Sequence, residues 1–243
     1  MGARQLRCAT WNIHRARGRD GRVDPSRIAA AIDQALKPLD LHVLALQEAD
    51  EESRPHARIL DVHRIAASTG LDYIHDDPLR WGPDSDGFLG TILFLSTALK
   101  PLHSDVIDLP GRCHRGAVSV EATYQTRPIR IMSTHLSLFQ PLRILQMRIL
   151  GQYLRRRPRM QTLLLGDLNE WRPWSGLMLH NGLVGTSLRG PVCRTFPSAF
   201  PLLPLDRILT DAPGEVYGLR AVKTAEVSMA SDHLPLEAMV TVA

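Results

Sequence analysis

The stretch "LLLGDLNEW", Leu163–Trp171, stacks three leucines directly ahead of Gly166, Asp167 and Asn169. An unbroken apolar run of this kind reads as a strand buried on both faces, so other layers must cover its sheet on either side. A carboxylate and a carboxamide at the end of such a strand are costly to bury unless something there satisfies them. The same habit recurs along the chain. "QLRCATWNI" ends near Asn12, "LHVLALQE" on Gln47 and Glu48, and "PIRIMSTHL" carries His135. "PLDRILT" holds Asp206, and "SDHLP" sets Asp232 and His233 just ahead of a last strand-like run. Loops at the ends of buried strands are where rigid scaffolds place chemistry.

Helical patterns separate some of these strands. "DPSRIAAAIDQAL" predicts a helix capped by Asp24 with Pro25 in its first turn. "HARILDVHRIAASTG" predicts another, closed by Gly70. An amphipathic helix is expected over 141–156 and a short one over 174–180. "LDYIH", "GTILFLS", "PLHSDVIDL", "RGAVSVEATY", "GEVYGLRAVKTAEV" and "HLPLEAMVTV" all read as strands. Each half of the chain opens with alternating helices and strands, then runs strand after strand. The expected class is therefore α/β: two mixed sheets packed face to face, with helices on their outer sides. With 243 residues, 44% of them hydrophobic, and no linker, repeat or low-complexity tract, one domain over residues 1–243 is expected.

Composition narrows the function classes. No run approaches the roughly 20 apolar residues of a membrane span. The N-terminus carries no signal-peptide pattern, and Leu6 breaks the myristoylation pattern. Cys8, Cys113 and Cys193 are odd in number and far apart, which fits neither a disulfide frame nor a zinc knuckle. A soluble, cytoplasmic protein is expected. The formal net charge is +4 and the basic residues are nearly all arginine, which suits an anionic partner: nucleic acid, a phospholipid surface or a small phosphate. No obligate protein partner is evident.

In order and spacing, "TWN", "LALQE", "STHL", "GDLN" and "SDHLP", together with "LDRIL", resemble the endonuclease/exonuclease/phosphatase superfamily over about residues 8–240. Deoxyribonuclease I, exonuclease III, inositol-polyphosphate 5-phosphatases and neutral sphingomyelinases belong to it. The resemblance implies a four-layer α/β/β/α sandwich, deoxyribonuclease I-like, with the active site at one rim of the paired sheets. It also implies hydrolysis of a P–O bond with a divalent metal, Mg2+ or Mn2+. Oxygen ligands from carboxylates and an amide suit such hard cations.

The resemblance assigns Glu48, Asn12 and Asp232 to the metal. His233 and Asp206 resemble the family's His–Asp pair, the aspartate fixing the ring and stabilising its imidazolium. Asp167 is expected to position or deprotonate the attacking water, and Asn169 to donate to the phosphate. Whether His233 or Asp167 is the base stays open. His135 is expected to protonate the leaving oxygen or bind a non-bridging one. The segment "GFLGTILF", with Gly90 and Thr91, offers no carboxylate to orient it. Arg115 resembles a phosphate-contacting arginine. His14, in the basic loop "IHRARGRDG", could clamp a second phosphate or a headgroup. Phe196, in "RTFPSAFPLLP", could form an apolar rim that holds an acyl chain or stacks a base.

These motifs speak to reaction type and leave the substrate open. A duplex-binding nuclease should show a broad basic surface, whereas this chain is modestly charged and has no long Lys/Arg insertion. A phospholipid or another small phosphodiester is the preferred substrate, with peripheral membrane contact; DNA is the alternative. A non-catalytic phosphate- or nucleic-acid-binding scaffold should have lost one of Glu48, Asp167, Asp232 or His233, and all four are present.

Overall fold

The computed structural model describes residues 4–111, 115–174 and 176–243, the side chain of Asp77 apart. Cys113 therefore lies outside the described residues. Two mixed sheets face each other. The first runs in the order β10 (Val216–Ala221), β11 (Leu236–Val242), β1 (Arg4–Asn12), β2 (Val43–Gln47), β4 (Ile92–Leu95), β3 (Asp72–Tyr73). The second runs β5 (Leu99–Leu109), β6 (Arg115–Tyr124), β7 (Arg127–His135), β8 (Gln161–Asp167), β9 (Asp206–Thr210). β1 and β2 are parallel, as are β7 and β8; the other pairs are antiparallel.

Alternation along the strands builds the layers. Leu6 and Cys8 of β1, Val43 and Ala45 of β2, Leu163 and Leu165 of β8 and Ile208 of β9 point into the slab between the sheets. Their neighbours point outward. Ala9, Trp11, Leu44 and Leu46 pack under α1 (Pro25–Ala31), α2 (Val62–Thr69) and α5 (Ala225–Ala230). Met132 and Leu164 pack under α3 (Gln140–Arg156) and α4 (Asn181–Val184). Both faces of β8 are thus covered, which is why its sequence is a continuous leucine run. This is the four-layer arrangement expected.

Some local expectations are corrected. Asp24 caps α1 as anticipated, accepting from the amides of Ser26 and Arg27. The helix then widens over Ile32–Leu36 and tightens over Lys37–Leu39, where Pro38 lacks the N–H a regular ladder needs. α2 starts only at Val62, because the Asp61 side chain caps it through the Arg64 amide; residues 56–60 are irregular. "LDYIH" contributes only two strand residues. The stretch read as one strand, "GEVYGLRAVKTAEV", pairs only to Ala221. Thr224 then accepts from the Val227 amide and starts α5, whose Val227 and Ala230 pack beneath the first sheet. Over 174–180, a 3-10 turn at Gly176–Leu179 leads into α4.

Candidate active site

Register alone gathers the polar strand ends. His135 of β7 lies beside Asp167 of β8, which lies beside Asp206 of β9. In the other sheet Asn12 lies beside Gln47. Gly166 lets this happen. Its φ is +142°, and a Cβ there would lie 2.0 Å from the Thr134 carbonyl oxygen, so β7 and β8 close up beneath Asp167 only because no side chain intervenes. Below the site, Thr10 donates to Gln47 (3.1 Å) and Gln47 donates to Ser133 (3.3 Å), a polar bridge across the two sheets.

The Asn12 amide nitrogen donates to Asp167 Oδ2 at 2.9 Å and to Glu48 Oε1 at 3.3 Å. Its oxygen accepts from the His14 amide at 3.0 Å. Asn12 therefore turns its nitrogen, not its oxygen, to the carboxylates. The Asn169 amide nitrogen donates to the Leu136 carbonyl (2.8 Å) and to His135 Nε2 (3.1 Å), while its backbone N–H donates to Asp167 Oδ1 (2.9 Å). One side-chain proton of Asn169 is thus committed to His135 and the other to the Leu136 carbonyl. His135 Nε2 also lies 3.3 Å from Asp167 Oδ2, and its Nδ1 faces Glu48 Oε1 at 3.9 Å. Burial, with Arg115 adding, pushes His135 down to about 3, so the ring is neutral.

His233 is built the opposite way. Nδ1 meets Asp206 Oδ2 at 2.9 Å, and Nε2 faces Asp167 Oδ2 at 3.8 Å. Burial works against its charged form, but the carboxylates of Asp206 and Asp167 outweigh burial and hold the pKa up at about 10. Phe196 packs on the ring with centroids 4.9 Å apart. His14 Nδ1 lies 3.5 Å from Asp232 Oδ1, a carboxylate oxygen that has no hydrogen-bond partner. Arg115, at the start of β6, lines a small cavity with Glu48, Arg15 and Gly90, and its Nε is also unpartnered. Buried carboxylate oxygens without a donor, Asp232 Oδ1 and, beside Asp167 in register, Asp206 Oδ1, fit a hard divalent cation. Asp167, Asp206 and His233 offer ligand atoms within 4.8 Å of one another, although His233 Nδ1 is already committed to Asp206.

Every position that builds this geometry in the strand ends falls within one sequence profile, described as the Endonuclease/Exonuclease/phosphatase family, which matches residues 9–233. The chain belongs to the endonuclease/exonuclease/phosphatase family. Members are hydrolases of phosphoester bonds and typically use a divalent metal. The uncharacterized protein YbhP of Escherichia coli K12 is 33% identical over 124 residues, 46% of this chain and 46% of that one, so the match spans about half the length of this curated relative. A solved endonuclease/exonuclease/phosphatase of Bacteroides vulgatus superposes with a TM-score of 0.77 at 15% identity, over 99% of this chain and 100% of that one. TDP2 of D. rerio, solved with a single-strand DNA product, gives 0.69 at 18% identity, covering 98% and 99%. These likenesses show the deoxyribonuclease I-like fold.

In this family member several contacts of the site were not foreseen from the sequence, where Arg15 reads only as part of a basic loop that could clamp a second phosphate or a headgroup. Arg15 donates to Glu48 Oε2 at 2.5 Å. Thr195 donates to Asp206 Oδ2. Trp11 Nε1 donates to the His233 carbonyl at 2.9 Å, and Ser231 Oγ donates to the Asn12 carbonyl at 2.8 Å. Glu170, fully buried directly after "GDLN", holds Arg172 at 3.1 Å and Arg143 at 3.6 Å, while its carbonyl accepts from Arg207. Trp11, Ser231 and Glu170 stand in or against the quoted motifs, and that adjacency was the available signal.

Proposed function

We propose that the protein is a divalent-metal-dependent phosphoesterase that hydrolyses a phospholipid or another small phosphodiester. The carrying observation is the line Asp167–His233–Asp206, a carboxylate facing an imidazole that a second carboxylate fixes at 2.9 Å. In this reading Asp206 holds the His233 ring as an imidazolium, and Asp167 orients the attacking water and takes up its proton beside that charge. His135, oriented by Asn169, faces a phosphoryl oxygen, and Arg115 and His14 contribute positive charge to the anionic substrate. Magnesium or manganese, held by Glu48, Asp232 and a reoriented Asn12, would polarise the phosphoryl group.

The rim supports an apolar substrate portion. Leu138, Phe139, Trp171, Trp174, Phe200 and Leu202 are exposed large apolar side chains. They sit on the segments that follow His135 and Asn169 and precede Asp206 in sequence. Exposed large apolar side chains next in sequence to site residues support a surface that takes an apolar group. DNA is the second reading, favoured by the likeness to TDP2 with its single-strand DNA product and by the basic loop at His14, Arg15 and Arg17.

A magnesium-supplemented screen of phosphatidylglycerol, cardiolipin, lysophospholipid, inositol phosphates, plasmid DNA, abasic duplex and RNA tests the reading. Asp167→Asn and His233→Ala should each abolish the hydrolysis found while the protein stays folded by circular dichroism. Full activity in either variant overturns the site. Cleavage restricted to nucleic acid, with binding that weakens steeply as salt rises, selects the second reading.

A further inference from the structure

Glu48 is held in an unusual way. It adopts φ +55°, and Arg15, the residue that grips it, adopts φ +50° between His14 at +50° and Ala16 at +57°. Left-handed backbone at a side-chain-bearing residue costs about 1 kcal/mol or more, so such a run persists only where the surroundings enforce it. The enforcing contacts converge on Glu48. The Arg15 amide donates to the Glu48 carbonyl at 3.1 Å, and Ala49 N donates to the Gly90 carbonyl at 2.9 Å. Gly90 itself presses so close that a Cβ would lie 3.3 Å from Glu48 Cα. The Arg15 guanidinium then closes on Glu48 Oε2 at 2.5 Å, and its other terminal nitrogen lies 3.5 Å from Glu52 Oε2. Glu48 is nearly buried, whereas Glu52 is exposed on a groove of about 600 Å³ lined also by His14, Arg17 and Glu51.

We infer that Arg15 is a built-in counter-cation for Glu48, displaced onto Glu52 when a divalent metal takes that carboxylate. This rests on the reading of Glu48 as a metal ligand. One Glu48 oxygen is bonded to a full positive charge, and a guanidinium and a dication cannot both sit against it without repulsion in a poorly solvated pocket. Glu52 already touches the same guanidinium, so the side chain reaches its second seat without leaving the loop. Metal affinity is therefore set partly by the Arg15–Glu48 contact.

Mn2+ binding to the full chain, read from the electron paramagnetic resonance of free Mn2+, tests this without any turnover. Removing the competing charge in Arg15→Gln should tighten the Mn2+ Kd about tenfold, the scale of one partly buried charge-assisted contact. Glu52→Gln removes the second seat and should weaken binding severalfold. Arg17→Gln and Glu51→Gln make the same charge changes in the same groove without touching the pair, and should stay within about twofold of the parent protein. Unchanged or weaker binding in Arg15→Gln overturns the inference, as does an equal gain in Arg17→Gln or an equal loss in Glu51→Gln. Hydrolysis that still depends on Asp167 and His233 would then leave the phosphoesterase reading standing; absence of Mn2+ binding in all five proteins defeats both.

Discussion

Thr195 lies 11 residues before Asp206 in sequence, yet its hydroxyl donates to the same carboxylate oxygen that meets His233. Losing a buried hydrogen bond to a charged group costs about 1.5–3 kcal/mol. Thr195→Val keeps the shape and should lower kcat about tenfold with little change in KM, measured by steady-state hydrolysis, because Asp206 then holds the imidazole less firmly. Gly166→Ala acts on stability. With Cβ set against the Thr134 oxygen at a φ of +142°, the β7–β8 pair must part, and a loss of about 3 kcal/mol or more is expected in chemical denaturation. At this scale the sequence shows Asp167, Asn169, Asp232 and His233 because each interrupts an apolar run. Arg15 and Thr195 carry no such mark: what they touch is decided by segments that meet only after folding.

Between elements, Glu121 of β6 ties Arg130 of β7 to Arg157 beyond α3, each guanidinium contact being 2.8 Å. The hydrogen bond from Arg157 leads, burial opposes it, and Arg130 adds to it, so the carboxyl falls to about 2. Because the folded value lies below the ordinary carboxylate value of about 4.3, this tie contributes fully above that pH and is lost as pH falls through about 2. Glu121→Gln should therefore cost on the order of 3 kcal/mol near neutral pH. Urea denaturation of the two proteins should show the gap closing between pH 4 and 2. Elements were legible in proportion to how much of their pattern is local. β1, β2 and β8 alternate into two covered faces, and Asp24 announces α1. The six residues of α5 are too few to show a helical period, and Val216 and Tyr217 just upstream favour a strand, so only packing beneath the first sheet reveals the helix.

For the whole molecule, the exposed rim and the modest charge make opposite forecasts from those of a groove-binding nuclease. Trp171→Ala combined with Trp174→Ala and Phe139→Ala should reduce co-sedimentation with phosphatidylglycerol vesicles severalfold, since interfacial aromatic rings anchor proteins to bilayer surfaces. Turnover of a water-soluble phosphodiester by the same variant should stay within about twofold, because among the described residues His135, Asp167 and His233 take their hydrogen-bond and ring partners from elsewhere. Among the described residues no helix is long and apolar enough to cross a membrane. The layered architecture was readable because leucine runs without alternation demand cover on two sides, whereas a substrate surface built from separate loops leaves no such local pattern. One sheet supplies Asn12 and Glu48 and leads into β11 through Asp232 and His233; the other supplies His135, Asp167 and Asp206. The leucine and valine slab between the sheets thus works as a spacer: resizing a methyl group there would shift one polar set against the other without editing any polar side chain.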